Sequence, residues 1–308
     1  MSNKRILILD NVNEICAAIL TRQGFDVEVW PEVRTAELLQ KIHPFHGLIV
    51  RSATQVTAEL LQKAANLQVV GRAGVGLDNI DVEAARQKNV AVFNAAAANT
   101  LSAAEHTLAL MLSLARQIPQ AQISMLNGKW DRKAYKGVEL FQKTLGIIGL
   151  GRIGQEVARR ARAFEMRILA HDPWIESEVF KACGARSCTL EELLHQSDFV
   201  TVHVPLLPST RHLLGQEQFD ICKNSLRLIN VARGGIVDEQ ALYQALRAGK
   251  IAGAAMDVFE TEPPVDNPLI GMDKVVVTPH LGASTHEGQS RVAEEIAKRV
   301  ANFLLKGA

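Results

Sequence analysis

The chain has 308 residues, 47% of them hydrophobic and 22% charged, with a formal net charge of +1. That is a globular composition long enough for two domains, and so even a charge balance gives no general attraction to nucleic acid or to an acidic membrane surface. The most apolar helical stretch, around residues 107–115, is too short to span a bilayer, and Lys4 and Arg5 lead straight into a strand rather than a signal peptide.

Taken in order, residues 4–10 read as a strand, 15–23 as a helix, 26–30 as a strand and 35–42 as a helix. Residues 47–50, 58–64 and 67–70 continue the alternation as strand, helix, strand. Alternating β and α elements predict an open parallel sheet. Two loops follow its strands: Arg51-Ser52-Ala53-Thr54, and Arg72 to Asn79. Ligands of open α/β sheets bind beyond the carboxyl ends of strands, so Arg51 and Arg72 either clasp a carboxylate or phosphate there or are ordinary solvated arginines. The glycines of GRAGVG, Gly71, Gly74 and Gly76, have no acid closing a following strand and read as a loop.

Residues 90–93 form the next predicted strand, and NAAAAN (94–99) leads into an apolar helix over 103–116. Ser102 is placed as its N-cap, with Glu105 three positions on completing a capping box. So apolar a helix should be buried, between domains or against another subunit, and the crossover into the second domain falls near its start. Residues 119–143, with Trp130, Arg132, Lys133 and Tyr135, read as a polar loop or dimer arm.

The stretch TLGIIGLGRIGQEVARRARAFEMRILAHD, residues 144–172, organises the second half. An apolar run suits a buried parallel strand. Gly149, Gly151 and Gly154 then spell G-x-G-x-x-G: a tight turn, close approach to a pyrophosphate, and close helix–strand packing. The helix that follows offers its N-terminal N–H groups to the anion. A second strand ends at Asp172, near the spacing expected of an acid that binds the adenosine ribose and repels a 2′-phosphate, which favours NAD over NADP.

Further strands are predicted at 199–204, 227–231, 251–258 and 275–278, helices at 190–196 and 238–248, and a final helix at 287–306 that can return to the first domain. Arg233, Glu262 and His280 each fall just past one of these strands. Alone, each reads as a surface arginine, a turn glutamate or a satisfied histidine. Their shared edge beside a nucleotide site favours chemistry: His with Glu for proton transfer, and Arg for a carboxylate beside a carbonyl. Cys16, Cys183, Cys188 and Cys222 lack paired ligand spacing, so reduced thiols, a cytoplasmic protein and no metal site are expected.

GLGRIG with Asp172, VHVPLLPSTRHLL, NVARGGIVDEQAL, AAMDVFETEPP and TPHLGAST together resemble the NAD-dependent D-2-hydroxyacid dehydrogenases over nearly the whole chain. The resemblance implies an α/β fold in which a Rossmann-type NAD-binding domain (99–286) is inserted in a discontinuous flavodoxin-like substrate-binding domain (1–98 and 287–308). It implies Arg233, Glu262 and His280 as the catalytic set. The NAD site would be lined by Gly149, Gly151, Arg152, Ile153, Gly154, Asp172, His203, Val204, Pro205, Val231, Ala232, Arg233, Asp257, His280, Gly282 and Ala283. Arg51, Ser52, Arg72, Val75, Gly76 and Asn99 would face the substrate.

The reaction implied is oxidation of 3-phospho-D-glycerate at C2, with glyoxylate, hydroxypyruvate or another D-2-hydroxy acid as the alternative and an NAD(H)-sensing module as the distant one. A homodimer or higher homo-oligomer is expected, with no nucleic-acid or membrane partner. Three departures from the family pattern carry expectations. NAAAAN lacks a Pro and Gly, which leaves that loop less restrained. Val75 and Val204 replace frequent threonines, so no hydroxyl contact to cofactor is expected there. The chain ends at Ala308, so feedback through an appended serine-binding domain is not expected.

Overall fold

The computed structural model describes residues 4–306. They form two units, residues 4–100 with 283–306, and Leu101–Gly282. The first holds five parallel strands, β1 Arg5–Leu9, β2 Asp26–Trp30, β3 Gly47–Val50, β4 Val69–Arg72 and β5 Ala91–Asn94, in the order β2-β1-β3-β4-β5. This is the flavodoxin-like order. RILIL is buried almost throughout because helices cover both faces of the sheet. Side chains alternate across the pleat. Ile6 and Ile8 pack with Cys16, Leu20, Ile296 and Val300, while Leu7 and Leu9 pack with Leu38, Leu60, Leu61 and Val70. Thr57 and Asp81 cap two of the covering helices, accepting from Leu60 N at 3.3 Å and Ala84 N at 2.9 Å.

The second unit carries seven parallel strands: β6 Thr144–Ile148, β7 Arg167–His171, β8 Ala185–Ser187, β9 Phe199–Val202, β10 Arg227–Asn230, β11 Gly253–Met256 and β12 Val275–Val277. Their order, β12-β11-β10-β9-β6-β7-β8, is the Rossmann order with one strand added, and it reverses between β6 and β9. The helix Arg152–Ala163 turns Gly154, Val157, Ala158 and Ala161 into the core, while Arg159 and Arg162 stay in water.

The predicted strands occur, but several end earlier than the apolar runs suggest. Runs expected to 204, 231 and 258 stop at Val202, Asn230 and Met256. His203, Val231 and Asp257 therefore lie just beyond strand ends, where the chain turns. The strand expected at 67–70 lies at Val69–Arg72, and β8 and the helices Val82–Gln87, Ser177–Cys183 and Gln216–Asp220 were not anticipated.

Four expectations need correction. The long helix runs Thr100–Arg116, so Ser102 is not its N-cap but a buried residue of its first turn. A capping box does occur at Thr189 and Glu192, where two hydrogen bonds of 3.1 Å are exchanged. Leu108, Leu110, Met111 and Leu114 pack into the core of their own unit with Leu145, Ile147 and Ile229, which by itself explains why the long helix is so apolar. The stretch after it is not simply a polar loop: it opens with the helix Ile118–Leu126, whose Ile118, Ile123, Met125 and Leu126 are exposed. The NAAAAN loop is also tied down despite lacking Pro and Gly. Asn94 Nδ2 donates to Val75 O, Ala95 N to Gly74 O at 2.9 Å, and Arg291 Nε to Ala98 O at 3.0 Å. Among the described residues, no helix is long and apolar enough to cross a membrane.

Candidate active site

The second unit gathers most of the expected residues at the carboxyl ends of its strands. β6 runs into Gly149, whose φ of 93° suits glycine. An ideal Cβ on Gly149 would lie 2.8 Å from the carbonyl of His203, and one on Gly154 only 2.2 Å from Gly149 O. A Cβ on Gly151 would meet nothing within 4 Å. Two glycines are thus needed for packing, and the third fronts open space at the N-terminus of Arg152–Ala163. That cradle fits a pyrophosphate, with Arg152 and Ile153 as the first helical residues beside it.

Asp172 stands next to this turn. Its Oδ2 accepts from Leu150 N at 2.8 Å and its Oδ1 from Trp174 N at 3.0 Å, which fixes the carboxylate at the end of β7 and leaves acceptor capacity for ribose hydroxyls. His203 N donates to Ile148 O at 2.7 Å, and its ring Nε2 pairs with Thr201 Oγ1 at 3.0 Å. Burial pushes the His203 imidazole down to about 3, so it is neutral near pH 7 and adds no charge to the nucleotide site. Val204 packs against the core, and Pro205 O accepts from Thr210 Oγ1 at 2.6 Å.

His280 and Glu262 meet. His280 Nδ1 lies 2.7 Å from Glu262 Oε2, while Glu262 Oε1 accepts from Phe259 N at 3.2 Å. Arg233 follows β10, its Nη1 donating to Ala232 O at 2.6 Å. Its turn is shaped by a residue not singled out from sequence, the fully buried Asn230. Asn230 Nδ2 donates to Arg233 O at 2.9 Å, and Asn230 Oδ1 accepts from Ala232 N at 3.0 Å. An ideal Cβ on Gly234 would fall 1.8 Å from Phe259 O, so the Arg233 turn lies directly against the loop that carries Glu262.

Asp257 is completely buried. It takes hydrogen bonds from Leu281 N at 2.7 Å, Gly282 N at 2.8 Å, Thr278 Oγ1 at 2.5 Å and His106 Nε2 at 3.1 Å. Burial alone would raise its carboxyl, but the hydrogen bonds from His106, Thr278 and Leu281 outweigh it and hold the group below the ordinary carboxylate range. Val231 packs at 2.9 Å from where a Cβ on Gly282 would sit. Ala283, the next residue, opens the segment belonging to the first unit, where its carbonyl accepts from Thr285 N at 3.1 Å.

The residues expected to face substrate lie in the first unit: Arg51 and Ser52 beyond β3, Arg72 as the last residue of β4, Val75 and Gly76 beyond it, and Asn99 just before the long helix. Arg51 and Ser52 belong to a loop built by two residues that sequence reasoning missed. Asp10 accepts from Arg51 N at 2.9 Å and from Thr54 N and Oγ1 at 3.0 and 2.6 Å, and Asn79 Nδ2 donates to Arg51 O and Thr54 O at 2.8 and 2.6 Å. Arg72 folds its guanidinium over Gly74, whose ideal Cβ would fall 1.4 Å from Arg72 Nη1. Val75 and Gly76 continue that loop, held at Val75 O by Asn94. Asn99 Oδ1 is buried without a hydrogen-bond partner among the described residues.

Residues 108–282 match the family model described as D-isomer specific 2-hydroxyacid dehydrogenase, NAD binding domain. The chain is 50% identical over 301 residues to the D-3-phosphoglycerate dehydrogenase of Methanocaldococcus jannaschii, covering 97% of this chain but 57% of that protein. It thus spans little more than half the length of the curated relatives it matches. Among solved structures, the TT0316 protein from Thermus thermophilus superposes with a TM-score of 0.90 at 34% identity, covering 98% of this chain and 97% of that one. The D-lactate dehydrogenase from Aquifex aeolicus, complexed with NAD and lactic acid, superposes with a TM-score of 0.86 at 29% identity, covering 98% and 96%. With its cradle, its acid at the end of β7 and these likenesses, the chain belongs to the D-isomer-specific 2-hydroxyacid dehydrogenase family and carries that family's NAD-binding domain in residues 108–282.

Proposed function

We propose that the protein oxidises the C2 hydroxyl of 3-phospho-D-glycerate to 3-phosphohydroxypyruvate with NAD, the first step of L-serine biosynthesis. The observation that carries the reading is the His280–Glu262 pair at 2.7 Å, in the same unit as the glycine cradle. Nδ1 of His280 faces Glu262, so Nε2 is the ring nitrogen that takes the hydroxyl proton. Glu262 then stabilises the imidazolium formed. NAD, when bound, supplies the acceptor for the C2 hydrogen, which leaves with its electron pair as the hydroxyl becomes a carbonyl.

Arg233 binds the substrate carboxylate and orients C2, a contribution of positioning. Gly149, Gly151, Arg152, Ile153 and Gly154 hold the pyrophosphate, and Asp172 the adenosine ribose. Arg51, Ser52, Arg72, Val75, Gly76 and Asn99 contact the substrate, with the two arginines recognising its phosphate. The choice of a phosphorylated acid is supported by the relatives that share half of this chain's residues. We place the enzyme in the cytoplasm, where its four free thiols stay reduced, as a homodimer that covers the exposed apolar residues of Ile118–Leu126. Sedimentation showing only monomer at micromolar concentration refutes the dimer.

The test is initial-rate NADH absorbance with 3-phospho-D-glycerate and NAD, run beside D-lactate and D-glycerate, with glyoxylate and hydroxypyruvate in reverse. The expected result is a clear preference for the phosphorylated acid, lost by roughly 100-fold or more in His280→Ala with NADH affinity spared. Activity confined to unphosphorylated acids overturns the substrate. Tight NADH binding without turnover of any acid overturns the enzyme.

A further inference from the structure

The turn that carries His280 closes on a single residue. His280 N donates to Asp257 O at 2.8 Å, Leu281 N to Asp257 Oδ1 at 2.7 Å and Gly282 N to Asp257 Oδ2 at 2.8 Å. His280 itself has φ 55°, a left-handed conformation that a histidine keeps only where its surroundings fix it. The turn also has little room to shift, since an ideal Cβ on Gly282 would lie 2.9 Å from Val231 Cγ1 and 3.3 Å from Asp257 Oδ2. The placement of the His280 imidazole therefore follows the placement of the Asp257 carboxylate.

Two side chains hold that carboxylate. Thr278 donates its only hydroxyl proton to Oδ1 at 2.5 Å, so toward His106 Nε2, 3.1 Å away, its oxygen can only accept. His106 Nε2 is also 3.1 Å from Asp257 Oδ1. One Nε2–H is thus shared between the hydroxyl and the carboxylate, which assigns the ring's protonated nitrogen. His106 arrives on Thr100–Arg116, 151 positions before Asp257. A hydrocarbon there would fill the space but take a donor from a buried carboxylate. Such a group responds by moving or by protonating, and a protonated carboxyl no longer serves two backbone N–H groups as an ionised one does.

We propose that His106 is a positioning residue of this site: through Thr278 and Asp257 it fixes the left-handed turn that aims His280. The inference rests on the reading of His280 as the proton acceptor, and the experiment separates the two. His106→Leu removes the donor. His106→Gln keeps an N–H at a similar reach. Thr278→Val removes the hydroxyl alone. The first readout needs no turnover: in histidine-labelled protein without ligand, the Nδ1 proton of His280, identified by its loss in His280→Ala, reports the bond to Glu262.

That signal is expected to broaden or vanish in His106→Leu and to return in His106→Gln. In turnover, His106→Leu loses roughly 10- to 100-fold in kcat. Its KM for the hydroxy acid and its NADH affinity stay within about threefold of wild type, and His106→Gln recovers most of the loss. The proposal is overturned by an unchanged His280 signal in His106→Leu. It is equally overturned by NADH affinity falling in step with kcat, or by a folded His106→Gln that rescues nothing. Should His106→Leu fail to fold, Thr278→Val carries the same expectations and the same refutation. If wild type turns over no hydroxy acid, the proposed function fails, and the His280 signal alone decides the positioning.

Discussion

Two glycine-rich turns follow parallel strands in this molecule, and they do opposite things. After β6, Gly149, Gly151 and Gly154 open a cradle: an ideal Cβ on Gly151 meets nothing within 4 Å. Around β4, Gly71 and Gly74 have their space filled. A Cβ on Gly71 would lie 2.8 Å from Val300 Cγ2 and 2.9 Å from Ile296 Cγ1, and one on Gly74 would fall on the Arg72 guanidinium. Glycine content alone does not distinguish them, but the succeeding elements do. The first turn enters a helix at Arg152 and is answered by Asp172 at the end of β7, whereas the next helix after the second begins only at Val82. A missing side chain serves a ligand in one case and a neighbouring element of the protein in the other.

The largest effect that tests this contrast is expected from Gly154→Val. The obstructing atom is the backbone oxygen of Gly149, 2.2 Å from an ideal Cβ, which no rotamer change relieves. The turn must deform, at a cost of about 3 kcal/mol or more, and NADH binding should weaken by roughly 30-fold or more. Wild-type NADH affinity measured by fluorescence titration would break the cradle reading. Gly71→Ala should act differently. Its extra methyl presses on Ile296 and Val300 of His286–Lys306, side chains that can yield in part. About 1–3 kcal/mol of stability should be lost in urea unfolding, with NADH affinity within about twofold of wild type. A variant that loses NADH affinity instead would show that the β4 end also serves the cofactor.

The same contrast explains how much of the molecule was legible in its sequence. Gly149, Gly151, Gly154 and Asp172 lie within one strand–turn–helix–strand unit, so spacing carries their meaning. The parallel sheets followed from the alternation of apolar runs with helical stretches. Arg233, Glu262 and His280 could be placed at strand ends, where their shared edge already suggested pairing Glu with His and the family resemblance implied the same catalytic set. Asp10, Asn79, His106 and Thr278 were not legible, because each acts on a loop from another element. Asp10 reaches Thr54 across 44 positions, and His106 reaches Thr278 across 172. No local pattern marks an acid at a strand end that will accept two backbone N–H groups, or a histidine within an apolar helix that will face a buried carboxylate. Ser102 shows the converse: a sound capping pattern with Glu105 was overridden because the helix begins at Thr100 and buries the serine.

The smallest effect concerns acid sensitivity, and it sits behind the first glycine turn. His203 backs Gly149 with its carbonyl and half-buries its side chain, and that desolvation holds the ring down to about 3. Between that value and roughly 6.5, the unfolded chain binds a proton at this residue and the folded chain does not. Stability therefore rises with pH across the window and falls on acidification, by at most about 1.4 kcal/mol per pH unit well below 6.5, flattening near 3. His46, in the first unit, is lowered in the same sense by burial and then by the charges of Lys4 and Arg5, so the wild-type slope has a second contributor. Urea unfolding at pH 7 and pH 5 should show a loss that His203→Gln reduces by about 1 kcal/mol or more. The measured interval from pH 7 to pH 5 lies above the usual carboxylate range, so Asp and Glu titration does not dominate it. Identical slopes in the two proteins would mean that the His203 ring finds a proton in the folded state. The turn behind the nucleotide cradle would then be looser than the Ile148, Thr201 and Gly149 contacts indicate.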